Sequence, residues 1–461
     1  MLEIGCARGV HLAGLAVSNP EATYVGVDID ERAIRDGRET LAALDLRGVT
    51  LDVGDLRALA TEKRRFDYVV AHGMYSWLPE PVRRELLTVI GTVLDDQGVA
   101  FISFNTLPGG FTRSVVRSLV LPHVRAVEQP ARRAARAREV AKEMLSVVPR
   151  TAAALRVELE RFLDASDSAI LYDYFVEVSE PTSLGDFARD LEKHGMRYLT
   201  DAGTLDRSPL AAHPLVKALE ASPIERLETV DRLEMSRFRQ AVVCRAGASD
   251  PSLDFARAEK LWFVSSAEPA ARGNVLGSEP VRFKTVSGLE LETNVGDIKL
   301  ALYELGRVWP EALRLDDLAE RVSERRGSAL APAALASSLI DSAASAAVRV
   351  RATRPRSVRA PSASPYTTPL ARLEAARGGA VTNLHHEPVN IDVPFHRALL
   401  SLLDGSRDRE ALARVLSDQI EARAFAVPGI DPGARSRWEG LIPREVDAGI
   451  ERLARYALLV S

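Results

Sequence analysis

The stretch that most constrains this chain is Leu2-Glu3-Ile4-Gly5-Cys6-Ala7-Arg8-Gly9-Val10, an apolar strand that passes through a small-residue turn straight into a helix. Such a junction leaves backbone N–H groups unpaired at the helix start, and glycine lets a ligand approach the main chain with no Cβ in the way. A strand ending like this belongs in an open α/β sheet, whose ligands sit at the strand carboxyl ends. The spacing is E-x-G-x-A-x-G, with Ala7 where a pyrophosphate-binding loop wants its middle glycine. On its own, the turn serves equally well as a bland strand-to-helix connection.

The strands that follow narrow the choice. Thr23 to Val27 is β-rich and ends in Asp28-Ile29-Asp30, after which Glu31 to Leu44 has helical spacing. A carboxylate at Asp28, about twenty residues beyond the glycine loop, can accept both ribose hydroxyls of an adenosine. Asp30 is better placed than Asp28 to cap the helix. A third strand, Val49 to Val53, ends at Gly54-Asp55-Leu56, where an acid commonly faces an adenine. Tyr68 to Ala71 reads as a buried strand opening into the aromatic loop His72-Gly73-Met74-Tyr75-Ser76-Trp77-Leu78-Pro79. A helix over Pro81 to Leu94, a turn at Asp95 to Gly98 and a strand over Val99 to Phe104 lead to Asn105-Thr106-Leu107-Pro108-Gly109-Gly110. Five strands thus alternate with helices and deliver their loops to one edge of a parallel sheet.

Taken together, these motifs resemble a class I S-adenosylmethionine-dependent methyltransferase. Within that class, the His72-to-Pro79 loop and the Asn105-to-Gly109 run are similar to bacterial protein-lysine methyltransferases that carry a methyltransferase regulatory domain, of the rickettsial outer-membrane-protein lysine methyltransferase type. The resemblance implies an α/β fold: a Rossmann-like seven-stranded methyltransferase sheet with a helical insertion, followed by two small α+β or winged-helix-like modules. It also implies S-adenosylmethionine as cofactor, which carries no phosphate and therefore tolerates Ala7. The expected cofactor set is Glu3, Gly5, Ala7, Gly9, Asp28, Ile29, Asp55, Leu56 and His72. The expected acceptor-side set is His72, Tyr75, Trp77 and Asn105. Tyr75 and Trp77 suit the walls of a narrow channel whose faces stabilise a cation. His72 orients a hydroxyl, relays a proton or caps its own loop, and Asn105 bonds the substrate backbone or holds the turn behind it.

Beyond Gly110 the pattern turns helical, and Arg113, Arg117, Arg125, Arg132, Arg133, Arg136, Arg138 and Lys142 read as a solvated face. Met196 to Asp201 and Phe238 to Arg245 supply the sixth and seventh strands, the seventh antiparallel, with helical material at 111–195 and 204–236 inserted around them. The expected division is 1–110 for the cofactor core, 111–247 for the insertion with core strands returning near 196–203 and 238–246, 248–349 for a middle module, 350–370 for an Arg/Pro/Ser/Thr linker, and 371–461 for a winged-helix-like end. A domain of this type normally has a helix and more strand ahead of its first glycine loop, so the expectation is that the true start lies upstream, that the chain has been cut, or that this member has lost the flank. His385, His386 and Glu387 precede a strand over Val389 to Val393, and their spacing does not suit a metal, so none is expected.

At 461 residues the chain is too long for one core. Its net charge of −4 gives no general pull towards nucleic acid, and its two cysteines form no disulfide framework. With no long apolar run, a cytoplasmic protein without a membrane span is expected. The expected function is in-line methylation of a protein or peptide lysine, with a homodimer formed through the insertion. The alternatives are a peptide or small-molecule methyltransferase, or a catalytically silent scaffold.

Overall fold

A computed structural model describes residues 1–61, 63–176, 178–202, 208, 210–211, 213–248, 255–270, 274–340 and 346–460. The start of the helical stretch expected over 204–236 lies outside the described residues. The chain forms two compact units, one of residues 1–12, 22–39 and 49–250 and the other of residues 13–21, 40–48 and 251–461.

The first unit is built on strands β1 (Leu2–Ile4), β2 (Tyr24–Asp28), β3 (Val49–Val53), β4 (Phe66–Ala71), β5 (Leu94–Asn105), β6 (Met196–Asp201) and β7 (Phe238–Arg245), in the order β3-β2-β1-β4-β5-β7-β6. β1 pairs in parallel with β2 and β4, placing Glu3 opposite Gly26 and Val70. β7 runs antiparallel to both β5 and β6, so the sheet is the seven-stranded methyltransferase-type sheet expected from the sequence. Central strands buried on both faces are mostly apolar, and Leu2, Ile4, Val69, Ala100, Ile102 and Phe104 are all in the core.

Helices α1 (Val10–Ser18), α2 (Glu31–Ala43) and α3 (Glu80–Val93) connect the parallel strands. The turn expected at Asp95 to Gly98 is instead a bulged part of β5. Phe66 pairs with Leu94 and Tyr68 with Val99, so both ends of the excursion are held on β4.

Helices α4 (Gly109–Val120), α5 (Pro130–Val147) and α6 (Ala153–Asp164) pack around their own core of Val116, Val120, Ala137, Leu159 and Phe162. Within the helical material expected over 111–195, residues Ile170–Tyr174 form a π-helix. Its wider turn delivers Tyr174 to a buried carboxylate, the hydroxyl donating to Glu158 Oε1 at 2.8 Å. Arg239 on β7 is fully buried and satisfied by a two-pronged bond to Asp231 at 2.9 and 3.1 Å and by Asp201 at 3.4 Å, which joins β7 to β6 and to the helix Pro223–Glu234.

The second unit has a three-stranded sheet of Leu313–Arg314, Trp262–Val264 and Arg349–Arg351, and another of Glu290–Thr293, Val281–Lys284 and Glu268–Pro269. Helices Gly296–Val308, Leu315–Arg326 and Pro332–Ile340 enclose a core with Phe263, Phe283 and Leu305. Helices Pro369–Arg377, Pro394–Leu402, Arg409–Glu421 and Ile442–Arg455 form a further core with Leu399, Leu416 and Val446. The strand expected over Val389 to Val393 shrinks to Pro388–Val389, paired with Val381–Thr382, because Ile391 instead plugs the core beneath the next helix.

The stretch read as a linker is strapped down. Arg349–Arg351 pairs with β-strand Trp262–Val264, Tyr366 bridges to Asp404 and Val460, and the buried Ser357 hydroxyl donates to the Pro310 carbonyl at 2.6 Å. It has no apolar period, so main-chain and hydroxyl hydrogen bonds anchor it. No helix among the described residues is long and apolar enough to cross a membrane.

His385 lies 3% exposed, its Nε2 bonded to the Pro310 carbonyl at 3.1 Å and its ring 4.9 Å from the Trp309 ring. Burial, with Arg351 close by, pushes its pKa down to about 4. A histidine held neutral in the fold but free to protonate when unfolded leaves stability intact above its ordinary pKa. Stability then declines as pH falls from about 6.5 towards 4, by about 3 kcal/mol in total. Urea unfolding of this unit at pH 8 and at pH 4.5 should show the loss, and His385→Asn should flatten the pH dependence across that window.

Candidate functional site

The loop after β1 adopts the conformation its small residues allow. Gly5, Ala7 and Gly9 have φ of +76°, +47° and +64°. For glycine this costs little, whereas Ala7 carries a Cβ in the left-handed region and is strained. At Gly9 a Cβ would also lie 2.7 Å from a Leu51 methyl, so the buried Leu51 side chain would have to shift. The loop is tied down by Gly5 N donating to the Val27 carbonyl at 2.8 Å and Gly9 N donating to the Cys6 carbonyl at 2.8 Å.

Asp28 is less free than the sequence implies. Its Oδ2 accepts from Ala7 N at 2.7 Å and its Oδ1 from Asp30 N at 2.9 Å. Each oxygen keeps a second lone pair for a ligand hydroxyl. Asp30 caps α2, its Oδ1 accepting from Ala33 N at 3.0 Å. Ile29 beside it is 76% exposed, a large apolar side chain left at the rim of the loop. Asp55 caps its own turn by accepting from Arg57 N at 2.9 Å, and Leu56 turns its side chain into the sheet core.

Glu3 is the most informative member of the set. It is buried on β1; Oε1 meets His11 Nδ1 at 3.3 Å, while Oε2 is buried with no hydrogen-bond partner. A carboxylate oxygen buried beside a glycine loop and left unpaired calls for a donor from outside the chain. An α-ammonium such as that of S-adenosylmethionine fits this requirement, and the remaining Asp28 lone pairs fit its ribose.

On the acceptor side, the structure separates residues that the sequence grouped. Tyr75 is not a channel wall. It is 2% exposed, edge-on to Phe187 at 5.2 Å and tilted against Phe104 at 6.0 Å, and burial pushes its pKa up to about 12. The apolar face of the sheet claims its ring. Trp77 stays half-buried beneath Gly73, its indole N–H buried without a partner. Asn105 is 5% exposed and holds the loop together, its backbone N donating to Ser76 Oγ at 2.8 Å and its Oδ1 accepting from Arg113 Nη1 at 3.3 Å. The turn behind it is packed so closely that a Cβ on Gly109 would sit 2.2 Å from the Met235 carbonyl.

His72 stands exposed at the end of β4, with Nδ1 2.8 Å from Ser103 Oγ and its ring between those of Phe101 at 5.7 Å and Phe238 at 6.3 Å. Burial of part of the ring lowers its pKa, opposed by nearby Glu3.

Sequence reasoning missed three contributors. Ser103 is a polar residue between Ile102 and Phe104 in a central strand, an interruption that marks it. Met74 lies over the first loop, its sulfur 3.1 Å from where a Gly5 Cβ would be. Arg113, counted with the solvated arginines, turns inward over the Tyr174 ring at 5.3 Å.

Residues 1–98 match a family model described as a methyltransferase domain, residues 166–245 one described as a predicted methyltransferase regulatory domain, and residues 364–458 one described as the PKMT C-terminal winged helix domain. An uncharacterized protein of Rickettsia prowazekii, RP789, is 25% identical over 443 residues, covering 91% of this chain and 79% of that protein. A second uncharacterized protein of the same organism, RP028, is 28% identical over 203 residues, covering 43% of this chain and 81% of its own length. The structure of PKMT2 from Rickettsia typhi, also solved with AdoHcy, superposes with a TM-score of 0.84 at 21% identity, covering 100% of this chain and 94% of that one.

Ala7→Gly should stabilise the first unit by on the order of 1 kcal/mol through relief of the left-handed strain. Gly9→Ala should instead destabilise it and displace the loop. Urea unfolding and calorimetric affinity for S-adenosylhomocysteine measure both, and a stabilising Gly9→Ala would contradict the packing against Leu51.

Proposed function

The chain is a class I S-adenosylmethionine-dependent methyltransferase of the PKMT type, and from that premise we propose that it methylates the side-chain nitrogen of a lysine in a protein. The observation that carries the proposal is the PKMT-type winged helix domain at residues 364–458, on the same chain as the glycine loop and the regulatory domain. PKMT2 of Rickettsia typhi, with the same extent of fold, supports it through its name and its complex with AdoHcy.

The bound cofactor supplies a methyl group activated by a sulfonium for in-line displacement. Glu3 offers its unpaired oxygen to the ammonium end, Asp28 its remaining lone pairs to the ribose, and the exposed face of Ile29 a surface for the nucleoside. The acceptor enters past His72, Phe101, Phe238 and Trp77. A lysine amine attacks only after losing its proton, and a partly apolar entrance lowers the pKa of an ammonium brought into it. The aromatic faces also favour the cationic product. The regulatory and winged helix modules then select the protein that presents the lysine.

Incubation of the purified chain with methyl-labelled S-adenosylmethionine and an envelope extract of the source cells, followed by acid hydrolysis, should place the label in methylated lysines. Label in base-labile esters, or in small molecules alone, would overturn the lysine acceptor. Glu3→Gln keeps the shape but removes the charge, and should weaken S-adenosylmethionine binding by about tenfold or more, the size of one charge-assisted hydrogen bond. Isothermal calorimetry reads the change.

A further inference from the structure

The side chain behind His72 decides what His72 can do. Ser103 sits in the middle of the sheet at 0% exposure, and its hydroxyl oxygen accepts the backbone N–H of Gly73 at 2.7 Å. Its own O–H must then find an acceptor, because a buried hydroxyl left unpaired is costly. Among the described residues, the acceptor at hand is His72 Nδ1, 2.8 Å away. If Nδ1 instead carried the proton and donated to Ser103, the oxygen would receive two N–H groups and its own hydrogen would have nowhere to go. A flipped ring would set a carbon against the hydroxyl, with the same defect.

We propose that Ser103 is a positioning residue that fixes the neutral His72 imidazole with its proton on Nε2, so that His72 serves the methyl acceptor as a hydrogen-bond donor and not as a base. Nε2 has no bond to the protein among the described residues, and the ring is held by Phe101 and Phe238 at the edge where the acceptor enters. An outward N–H suits an acceptor oxygen, such as a main-chain carbonyl of the substrate flanking the modified residue. The proton lost by the amine therefore goes elsewhere, to solvent. The charged groups facing the ring, Glu3 and His11, act on it in opposite directions. The placement of the ring rests on the site described for the proposed transferase, but its tautomer does not depend on which acceptor is used.

The test reads the tautomer directly. Long-range ¹H–¹⁵N correlation on the histidine-labelled protein without substrate, at pH 8, with the His72 signals assigned by their loss in His72→Gln, should show the Nε2–H pattern. Ser103→Ala should move it towards a mixture of the two tautomers. An Nδ1–H pattern in the unsubstituted protein, or no change in Ser103→Ala, overturns the proposal. A second readout uses labelled methyl transfer to the same envelope extract, counting all acceptors. His72→Gln places an amide N–H where Nε2 stood and should transfer about tenfold more label than His72→Ala, the worth of one hydrogen bond. Equal losses in the two variants overturn the donor role. Label outside lysine would instead refute the lysine reading and leave the tautomer assignment standing.

Discussion

One carboxylate organises the ligand edge of this protein. Asp28 takes the Ala7 N–H on one oxygen and the Asp30 N–H on the other, so a single side chain at the end of β2 fixes both the left-handed turn after β1 and the start of α2. The sheet register makes this reach possible. Ile4 lies beside Val27, and Gly5 N donates to the Val27 carbonyl, which brings the loop over the end of its neighbour before any side chain contributes. A carboxylate bonded to two backbone donors still keeps a second lone pair on each oxygen. The strain at Ala7 persists because this bond and the register together hold the turn.

The opposite half of the edge is held differently. There the supports come from far along the chain: Thr182 donates to the Asn105 carbonyl, Thr106 N donates to the Arg237 carbonyl, and Gly109 N to that of Ser236. Behind them runs a polar chain in which Arg113 bonds Asn105, stacks on Tyr174, and Tyr174 bonds the buried Glu158, which Arg237 approaches at 3.4 Å. Charges buried this deeply are retained only when paired, and the pairing joins the helical insertion to the sheet. The insertion therefore holds Asn105 and the turn behind it in place.

Legibility in the sequence followed the range of the interaction. The glycine loop, the acid at the end of β2 and the alternation of strands and helices are local patterns, and the structure reproduces them to within a residue or two at β2, β3 and α2. The sixth and seventh strands were legible because a sheet of this type needs them and two β-rich runs were on hand. Tyr75 was misplaced because an aromatic residue in a loop reads alike whether it lines an opening or fills a core. Arg113 was misplaced because its nearest partners, Asn105 and Tyr174, lie on different elements. The strap at 350–369 looked unfolded since its anchors are hydroxyls and main-chain groups, which leave no hydrophobic period.

The sequence by itself determined the class of sheet and the chemistry of its cofactor edge, because φ-permissive residues and strand-end acids act within a few residues of where they stand. Tertiary structure decided which aromatic rings of the His72-to-Pro79 loop are buried, which carboxylate oxygen of Glu3 lacks a partner, and which nitrogen of His72 is held by Ser103, 31 residues away. Those outcomes depend on burial and on the pairing of every polar group within it. Neither exists until the strands have come together.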